Sequence, residues 1–246
     1  MKILITGASS GIGAQLAREY ANEKNELILL ARRAEKLYAL RKELYEQCKS
    51  VEVIVVDVTD FEKLQAKLKT IDTLDMVILN AGVSLGHSQS DEEIPSVADF
   101  QRLYEVNLFS AHAALEVLLP LFKSQKSGKI VFISSMASLF SMPSSKIYSS
   151  SKRALNAYAE GIRYKYNRYG MKVITILPGF IKSELTDKND FAMPFLLETE
   201  VGARKIYRAI EKNRRQYIFP LRFYLIIRLL NLLPSFLREK IVNSLH

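Results

Sequence analysis

Four tyrosines in this sequence are followed by a lysine four residues later, and each pair could in principle carry acid–base chemistry. The pairs are Tyr20/Lys24, Tyr38/Lys42, Tyr45/Lys49 and Tyr148/Lys152. On an α-helix, residues i and i+4 share a face, so the ammonium group can come close to the phenol. A free phenol has a pKa of about 10, and a nearby ammonium lowers it towards the range that proton transfer needs. The spacing alone does not say which pair is chemical.

Short apolar segments alternate along the chain with longer segments of helical periodicity. We expect strands at 2–6, 27–31, 51–56, 75–80, 129–134, 172–177 and 216–219. We expect helices at 11–24, 34–48, 60–70, 98–122, 147–169 and 200–213. Most of the strands are apolar throughout, which is typical of strands covered on both faces. The alternation predicts an α/β fold with a doubly wound, mostly parallel sheet and helices on both faces.

The predicted sheet separates the four pairs. In a doubly wound sheet, ligands bind beyond the carboxyl ends of the strands. Only Tyr148 and Lys152 begin a helix shortly after such an end. The other three pairs lie along the first two helices, away from that edge, and are interpreted as solvated helix faces.

A glycine-rich loop, TGASSGIG at 6–13, connects the first strand to the first helix. Its glycines permit a tight turn and a close approach to a ligand, and the helix N-terminus behind them suits a pyrophosphate. Because three residues separate the first two glycines, the spacing differs from G-x-G-x-x-G, and a turn without a ligand is the alternative. The predicted cofactor contacts of this loop are Gly7, Ser9, Ser10, Gly11, Ile12 and Gly13.

Two arginines, Arg32 and Arg33, follow the second strand, where an NAD site usually has an acidic residue for the ribose 2′-hydroxyl. Arginine cannot accept a hydrogen bond from that hydroxyl, but it can bind a 2′-phosphate through two nitrogens. The pair therefore favours NADP, with NADPH preferred over NADH. The alternative is that both are solvated charges at a helix start.

Several motifs occur in one order along the chain, and together they resemble the short-chain dehydrogenase/reductase family over residues 1–215. They are TGASSGIG, Asn80-Ala81-Gly82, Asn107, the ISS at 133–135, Tyr148-x-x-x-Lys152 and Pro178-Gly179. The resemblance implies a seven-stranded Rossmann-type fold. It also implies hydride transfer between a nicotinamide cofactor and a carbonyl or alcohol substrate.

The resemblance assigns catalytic roles to Asn107, Ser135, Tyr148 and Lys152. Tyr148 would be the proton donor or acceptor, and Ser135 would hold the substrate oxygen beside it. Lys152 would also bind the nicotinamide ribose, and Asn107 would support a water that relays protons to Lys152. Only the family spacing favours Ser135 over the adjacent Ser134, and an ordinary buried amide is the alternative for Asn107.

Further cofactor contacts are implied in the same way. Asp57 and Val58 would contact the adenine. The cofactor cleft would be lined by Asn80, Ala81 and Gly82, with Tyr148 and Lys152 beside the ribose. The nicotinamide end would be held by Pro178, Gly179, Ile181 and Ser183. Family members often have threonine at the position of Ser183, and serine keeps the hydroxyl.

The segment 184–200 could fold over the site as a mobile lid. It contains Phe191, Met193, Phe195, Leu196 and Leu197, and Leu139, Phe140 and Met142 follow the fifth strand. This apolar content suggests a lipophilic substrate. Packing into the core or against another subunit is the alternative.

The net charge of +9 is uneven, because residues 201–246 carry ten Lys/Arg and only two acids. We divide the chain into a dinucleotide-binding and catalytic domain at 1–220 and a basic, apolar helical extension at 221–246, split by Pro234. The extension could lie on an anionic membrane surface. Alternatively it packs on a partner subunit or across its own cleft. A non-catalytic NADP-binding protein that docks through this extension is the second functional hypothesis.

Composition limits the remaining possibilities. One cysteine excludes an internal disulfide and fits a reducing compartment, and scattered histidines give no zinc motif. The N-terminal apolar run is too short for a signal peptide, and no uncharged apolar run is long enough to span a bilayer. We therefore expect a cytoplasmic protein, peripheral to the membrane at most. Basic residues interleaved with aliphatic ones argue against nucleic acid. The resemblance suggests a homodimer or homotetramer through helices 98–122 and 147–169.

Overall fold

Seven strands form one parallel sheet in the computed structural model, within the residues that it describes: 1–85, 94–187, 189 and 193–244. The strands are β1 (Lys2–Thr6), β2 (Glu26–Ala31), β3 (Ser50–Val55), β4 (Met76–Leu79), β5 (Gly128–Ile133), β6 (Met171–Pro178) and β7 (Gln216–Phe219). Their order across the sheet is β3-β2-β1-β4-β5-β6-β7, and every neighbouring pair is parallel. The predicted strands are confirmed, with ends shifted by one residue or less.

Helices cover both faces of the sheet. They are α1 (Gly11–Tyr20), α2 (Ala34–Leu44), α3 (Phe61–Leu68), α4 (Val97–Tyr104), α5 (Ser110–Gln125), α6 (Lys146–Tyr166), α7 (Thr199–Glu211), α8 (Leu221–Leu232) and α9 (Ser235–Ser244). Leu4 of β1 packs in one buried cluster with residues of α3, α5 and α6. Its neighbours Ile3 and Ile5 pack in a second cluster with residues of α1, α2 and α7. Side chains alternate across a strand, so β1 is buried on both faces, as its apolar sequence predicts.

The sequence predicts one continuous helix at 98–122, but the helical segment observed there, Val97–Gln125, contains an irregularity. A π-helical turn, Glu105–Phe109, separates α4 from α5. Among the described residues, 97–125 is also the one helical stretch long and apolar enough to cross a membrane by length and composition. Leu115, Leu118 and Phe122 are fully buried against the sheet. Packing in the core therefore accounts for its apolar character.

The strand order reverses between β1 and β4, and this places the phosphate loop beside the loop that follows β4. The chain from β1 turns to one side of the sheet, through α1 to β2, whereas the chain from β4 turns to the other side, towards β5. A crevice forms at such a point in an open α/β sheet, outside the carboxyl ends of the strands. Most of the predicted catalytic and cofactor residues lie on the loops and helix starts around it, and Asn107 lies in the π-helical turn.

Candidate active site

The loop after β1 has a backbone that only glycine adopts readily. Gly7 and Gly11 have φ angles of +67° and +54°, in the left-handed region. At Gly13, a Cβ atom would lie 2.3 Å from the Gly7 carbonyl oxygen and 2.6 Å from Nδ2 of Asn80. Ser10 precedes α1 without capping it through its side chain, and the first turn of α1 has no acidic residue. The loop is therefore suited to an anionic group at the start of α1.

The loops after β1 and β4 are tied together by hydrogen bonds. The backbone N–H groups of Asn80 and Ala81 both donate to Oγ1 of Thr6 at 3.0 Å. Nδ2 of Asn80 donates to the carbonyl oxygens of Thr6 at 3.0 Å and Gly7 at 3.3 Å. Asn80 therefore has a structural reason to be an amide, because it fixes the shape of the phosphate loop.

Replacing Gly13 by alanine is expected to destabilise the protein by about 1–3 kcal/mol, the usual cost of overpacking, because the added methyl group meets backbone atoms. Urea unfolding followed by circular dichroism measures this. Gly161→Ala is the matched control, since its Cβ would have no atom within 4 Å. That control lies within α6 and should gain up to about 1 kcal/mol. Equal effects of the two substitutions would contradict this packing.

Arg33 lies across the phosphate loop. Its guanidinium donates to Oγ of Ser9 at 3.0–3.1 Å, to Oγ of Ser10 at 2.6 Å and to Glu184 at 2.6 Å. Lys36 also hydrogen-bonds Glu184, and the hydrogen bonds from Lys36 and Arg33 lower the pKa of Glu184 to about 2. Glu184 was not predicted as a site residue, since its partners lie about 150 residues away in sequence.

Arg32 is less engaged than Arg33. Its side chain is 59% exposed, and it approaches Oδ2 of Asp57 at 3.5 Å. Arg102 approaches the same oxygen at 3.4 Å. The carboxylate of Asp57 also accepts hydrogen bonds from the backbone N–H and the hydroxyl of Thr59. Arg32 is therefore the arginine with more freedom to turn towards an anion.

Three predicted cofactor contacts, Ile12, Val58 and Ile181, direct their side chains into the hydrophobic clusters. A Cβ at Gly202 would lie 2.6 Å from Cδ1 of Ile181, so this side chain is closely packed under α7. Val58 and Ile181 are buried, so any contact that these two residues make with a cofactor goes through backbone atoms. Ser183 lies closer to the loop, because its Cβ would be 3.3 Å from a Cβ at Gly11. The chain after β6 thus passes over the phosphate loop.

Tyr148, Ser135 and Lys152 converge at the carboxyl end of β5. Ser135 follows β5 closely, and its side chain is close enough to the Tyr148 hydroxyl to lower the pKa of the phenol. Oγ of Ser135 also accepts from the Ala137 N–H at 3.1 Å. Lys152 is buried one turn further along α6, where its Nζ donates to the carbonyl oxygen of Ile133 at 3.0 Å. The distance from this Nζ to the centroid of the Tyr148 ring is 5.9 Å. The hydroxyl of Ser134 is buried and is directed to the backbone of α6, where it donates to the carbonyl oxygen of Lys152. Ser135 is thus the serine that meets the tyrosine.

The pKa of Tyr148 is shifted in the direction opposite to expectation. Burial raises it, and the nearby side chain of Ser135 only partly offsets this. The expectation that Lys152 lowers it is wrong for this structure, because Lys152 is directed to the backbone of β5. Burial also lowers the pKa of Lys152, from its ordinary value of 10.5 to about 8. At neutral pH the site therefore holds a neutral phenol and an ammonium group.

Asn107 lies in the π-helical turn and is buried. Its Oδ1 accepts from the Val83 N–H at 2.8 Å, and its Nδ2 donates to the Val83 carbonyl and to Oγ of Ser151, both at 3.0 Å. A Cβ at Gly82 would lie 3.3 Å from both Oδ1 of Asn107 and Nζ of Lys152. Asn107 thus fastens the loop after β4 to α6, beside the buried lysine.

The other Tyr/Lys pairs do not share this environment. Tyr38 and Tyr45 are 53% and 59% exposed, as expected for solvated helix faces. The interpretation of Tyr20 as solvated is wrong, because it is 1% exposed and its hydroxyl donates to Glu211 at 3.1 Å. That partner is on α7, so local periodicity could not reveal the contact.

The segment after β6 forms an apolar wall together with α8. The ring centroid of Phe223 lies 5.8 Å from that of Phe180 and 6.0 Å from that of Phe195. A Cβ at Gly179 would lie 3.0 Å from Cδ of Pro220 and 3.3 Å from Cδ1 of Phe223. Phe180 and Phe223 were not predicted as site residues. The apolar tail sequence could have indicated Phe223, but not that it meets Phe180.

The C-terminal part of the predicted lid is fixed to the chain after β6. Leu197 donates its N–H to Phe180, and Lys182 donates its N–H to Leu197, at 3.0 and 2.9 Å. Met193 is half-buried, whereas Leu196 is 42% exposed. Phe191, which was assigned to this lid, lies outside the described residues. Lid motion itself stays a prediction.

Comparisons with known proteins agree with this geometry. The profile of the short chain dehydrogenase family matches residues 1–193. An uncharacterized oxidoreductase of Myxococcus xanthus is 33% identical over 236 residues, which cover 94% of this chain and 92% of that protein. A short-chain dehydrogenase from Sphingobium yanoikuyae, solved in complex with NADPH, superposes with a TM-score of 0.82 at 24% identity. The superposition covers 89% of this chain and 88% of that one, and at this identity it supports the fold alone.

ElxO, solved with NADP bound, is a further similar structure. It has a TM-score of 0.75 and 26% sequence identity, and the match covers 88% of this chain and 96% of that one.

Proposed function

The chain belongs to the short-chain dehydrogenase family, and from that membership we propose that it is an NADPH-dependent oxidoreductase that interconverts a lipophilic carbonyl compound and its alcohol. The observation that carries this proposal is the meeting of Ser135, Tyr148 and Lys152 next to Gly82 and the phosphate loop. The glycine cradle, the uncapped start of α1 and the arginines after β2 fit a phosphorylated dinucleotide. When bound, such a cofactor supplies the hydride.

The chain's own residues supply the proton and the orientation. Tyr148 stays protonated at neutral pH because burial raises its pKa, so it can donate to a carbonyl oxygen. Ser135, whose side chain lies beside the same hydroxyl, is placed to hold that oxygen. Lys152, whose Nζ lies 5.9 Å from the ring centroid, is placed to bind the nicotinamide ribose beside the tyrosine, as the family resemblance implies. Asn107 positions Lys152 indirectly by fixing the loop that carries Gly82.

The pH dependence of reduction follows from Lys152. Since its pKa is lowered to about 8, Lys152 is charged below that pH and loses its proton above it. We expect kcat/KM for NADPH-dependent reduction to be flat below pH 8 and to fall above it. Initial rates between pH 6 and 10 measure this, with circular dichroism to show that the fold persists. A rate that stays flat to pH 10, as an ordinary lysine would give, contradicts the assignment.

The preference for NADPH is supported by the residues after β2. Arg32 and Arg33 stand where an NAD site has an acidic residue. Arg33 contacts the phosphate loop through Ser10, and Arg32 lies beside Asp57, on the side proposed for the adenine. The NADP bound to ElxO is consistent with this preference.

The substrate class is inferred from the apolar wall of Phe180, Phe195 and Phe223 and from Leu139 and Phe140 after β5. The test is a panel of aldehydes, ketones, quinones, steroids and acyl thioesters, in which NADPH oxidation is followed at equal enzyme concentration. Turnover confined to apolar carbonyl compounds supports the proposal. Tight NADPH binding without turnover on any member would favour the second hypothesis, a non-catalytic NADP-binding protein.

We also propose that the protein is a cytoplasmic homodimer or homotetramer that pairs through the outer faces of α5 and α6. Tyr164 on α6 is 73% exposed, and Phe109 just before α5 is 46% exposed. Large apolar groups of this kind are enriched in subunit interfaces. Light scattering on the purified chain measures the oligomer, and a monomer at micromolar concentration would contradict the pairing.

A further inference from the structure

Helix α8 has two apolar faces, and only one of them is used by the fold. On the inner face, Ile227 is buried against Met136 and Leu177, and Asn231 donates to the Leu139 carbonyl at 2.9 Å. The tail therefore packs across its own cleft, which was one of the alternatives that the sequence left open. This contact fixes how α8 is rotated about its axis, and so it fixes which residues point outward.

The outward face of α8 is a stripe of four leucines. Leu221, Leu225, Leu229 and Leu232 are 63%, 48%, 65% and 75% exposed. At 100° per residue they span an arc of about 80°. No residue in the described part of the chain covers them. Phe236 and Leu237 of α9 are also 66% and 40% exposed. We call the four leucines of α8 the leucine face.

Arginines border the leucine face on both sides. By the same helical geometry, Arg228 lies about 20° beyond Leu221 on one side and Arg222 about 20° beyond Leu229 on the other. Both arginines are exposed, and α8 contains no Asp or Glu. Residues 221–246 carry four basic side chains and one acidic side chain. An apolar stripe between exposed cations is the pattern of a helix that lies in the plane of a lipid headgroup layer.

A second copy of the chain is a poorer occupant. A symmetric contact between two leucine faces would bring four arginines together with no acid on α8 to pair with them, and like charges at an interface core oppose association. Anionic lipid headgroups supply the missing negative charge on both flanks at once.

We propose that the leucine face docks the protein on an anionic membrane surface, with α8 parallel to the bilayer plane and its leucines inserted at the level of the headgroups. Because the inner face of α8 packs beside the aromatic wall, docking places the cleft next to the lipid, from which an apolar substrate can enter. This last step rests on the proposed function, whereas the docking itself does not.

Flotation of the full chain with liposomes tests the docking. We expect binding to vesicles of phosphatidylcholine with 30% phosphatidylserine, weaker binding to pure phosphatidylcholine, and a decrease with added NaCl as the charges are screened. Replacing Leu225 and Leu229 together by glutamate should abolish binding. Val97→Glu is the matched control, since Val97 is 82% exposed at the start of α4 and far along the chain from the tail. It should bind as the wild type does.

Replacing Arg222 and Arg228 by glutamine should weaken partitioning onto the anionic vesicles about 30-fold, because each arginine near such a surface contributes about fivefold. Binding to pure phosphatidylcholine should not change. NADPH binding, measured by fluorescence, should stay at the wild-type level in every variant, so loss of docking is distinguishable from failure of the proposed function. The proposal is overturned if the wild type does not float, or if the leucine variant floats equally well. It is also overturned if that variant instead converts a dimer to a monomer.

Discussion

Tyr148→Phe is expected to lower turnover by about 10²- to 10⁴-fold, the usual contribution of a positioned acid or base. Phenylalanine keeps the ring in its half-buried place above Lys152 but has no proton to donate to the substrate oxygen. Since Ser135 and the phosphate loop are unchanged, NADPH binding should stay within about twofold of the wild type, because the tyrosine hydroxyl adds little to cofactor affinity compared with the phosphate contacts. Steady-state NADPH oxidation with an active carbonyl substrate, together with fluorescence titration of NADPH, measures both quantities.

Tyr38→Phe is the control for this experiment. Tyr38 has the same spacing to its lysine, Lys42, but it is 53% exposed on α2, and its replacement should leave turnover unchanged. Near wild-type turnover in the Tyr148 variant would contradict the assignment of Tyr148 as the proton donor. Equal losses in both variants would point to damage of the fold.

The second large effect is expected for Arg32→Ala, which should weaken NADPH binding about 10- to 100-fold and leave NADH almost unchanged. A hydrogen bond to a charged group contributes about 1.5–3 kcal/mol, and only NADPH has the 2′-phosphate that would accept it. Arg32 is the freer of the two arginines, because its one described ion pair, with Asp57, is long at 3.5 Å. KM and Kd for the two cofactors measure the change.

Arg102→Ala separates the phosphate contact from the contact with Asp57. Arg102 approaches the same carboxylate oxygen at 3.4 Å, so its loss also removes an ion pair from Asp57. An exposed pair of this kind contributes little, and both cofactors should respond alike and weakly. Equal losses of NADPH and NADH in the Arg32 variant would remove the 2′-phosphate role.

The sequence predicts the sheet well because its strands are local apolar runs. The QYIF segment was placed at 216–219, as it is in β7. The sequence also separates Tyr148 from the other three tyrosines, because position at the carboxyl edge is a property of strand order along the chain; its catalytic role stays a prediction. Ser135 could be separated from Ser134 only by family spacing, since two adjacent serines have the same local pattern.

Other features depend on contacts that sequence periodicity does not contain. Tyr20 meets Glu211, 191 residues later in the chain, and Glu184 meets Arg33, 151 residues earlier. The π-helical turn at Asn107 inserts one residue into an otherwise regular helix, and a single insertion leaves little trace in the apolar pattern. The raised pKa of Tyr148 depends on burial, which local spacing along a helix does not indicate.

The structure answers part of the question of what the C-terminal tail contacts. Its sequence fits a membrane surface, a partner subunit or its own cleft. The structure assigns one face of α8 to the cleft, through Ile227 and Asn231, and leaves the leucine face exposed. A helix that is apolar almost all round can serve two contacts at once, so these alternatives do not exclude one another.

The most direct test of the proposed chemistry is deuterium transfer from NADPH that carries deuterium at both hydrogen positions on C4 of the nicotinamide. The purified chain is incubated with the labelled cofactor and an apolar ketone from the panel, and the alcohol is analysed by mass spectrometry. We expect one deuterium on the carbinol carbon, formed at a rate that Tyr148→Phe lowers by at least about 100-fold. Alcohol without deuterium, or cofactor bound tightly with no alcohol formed from any carbonyl compound, would contradict hydride transfer as the function of this site.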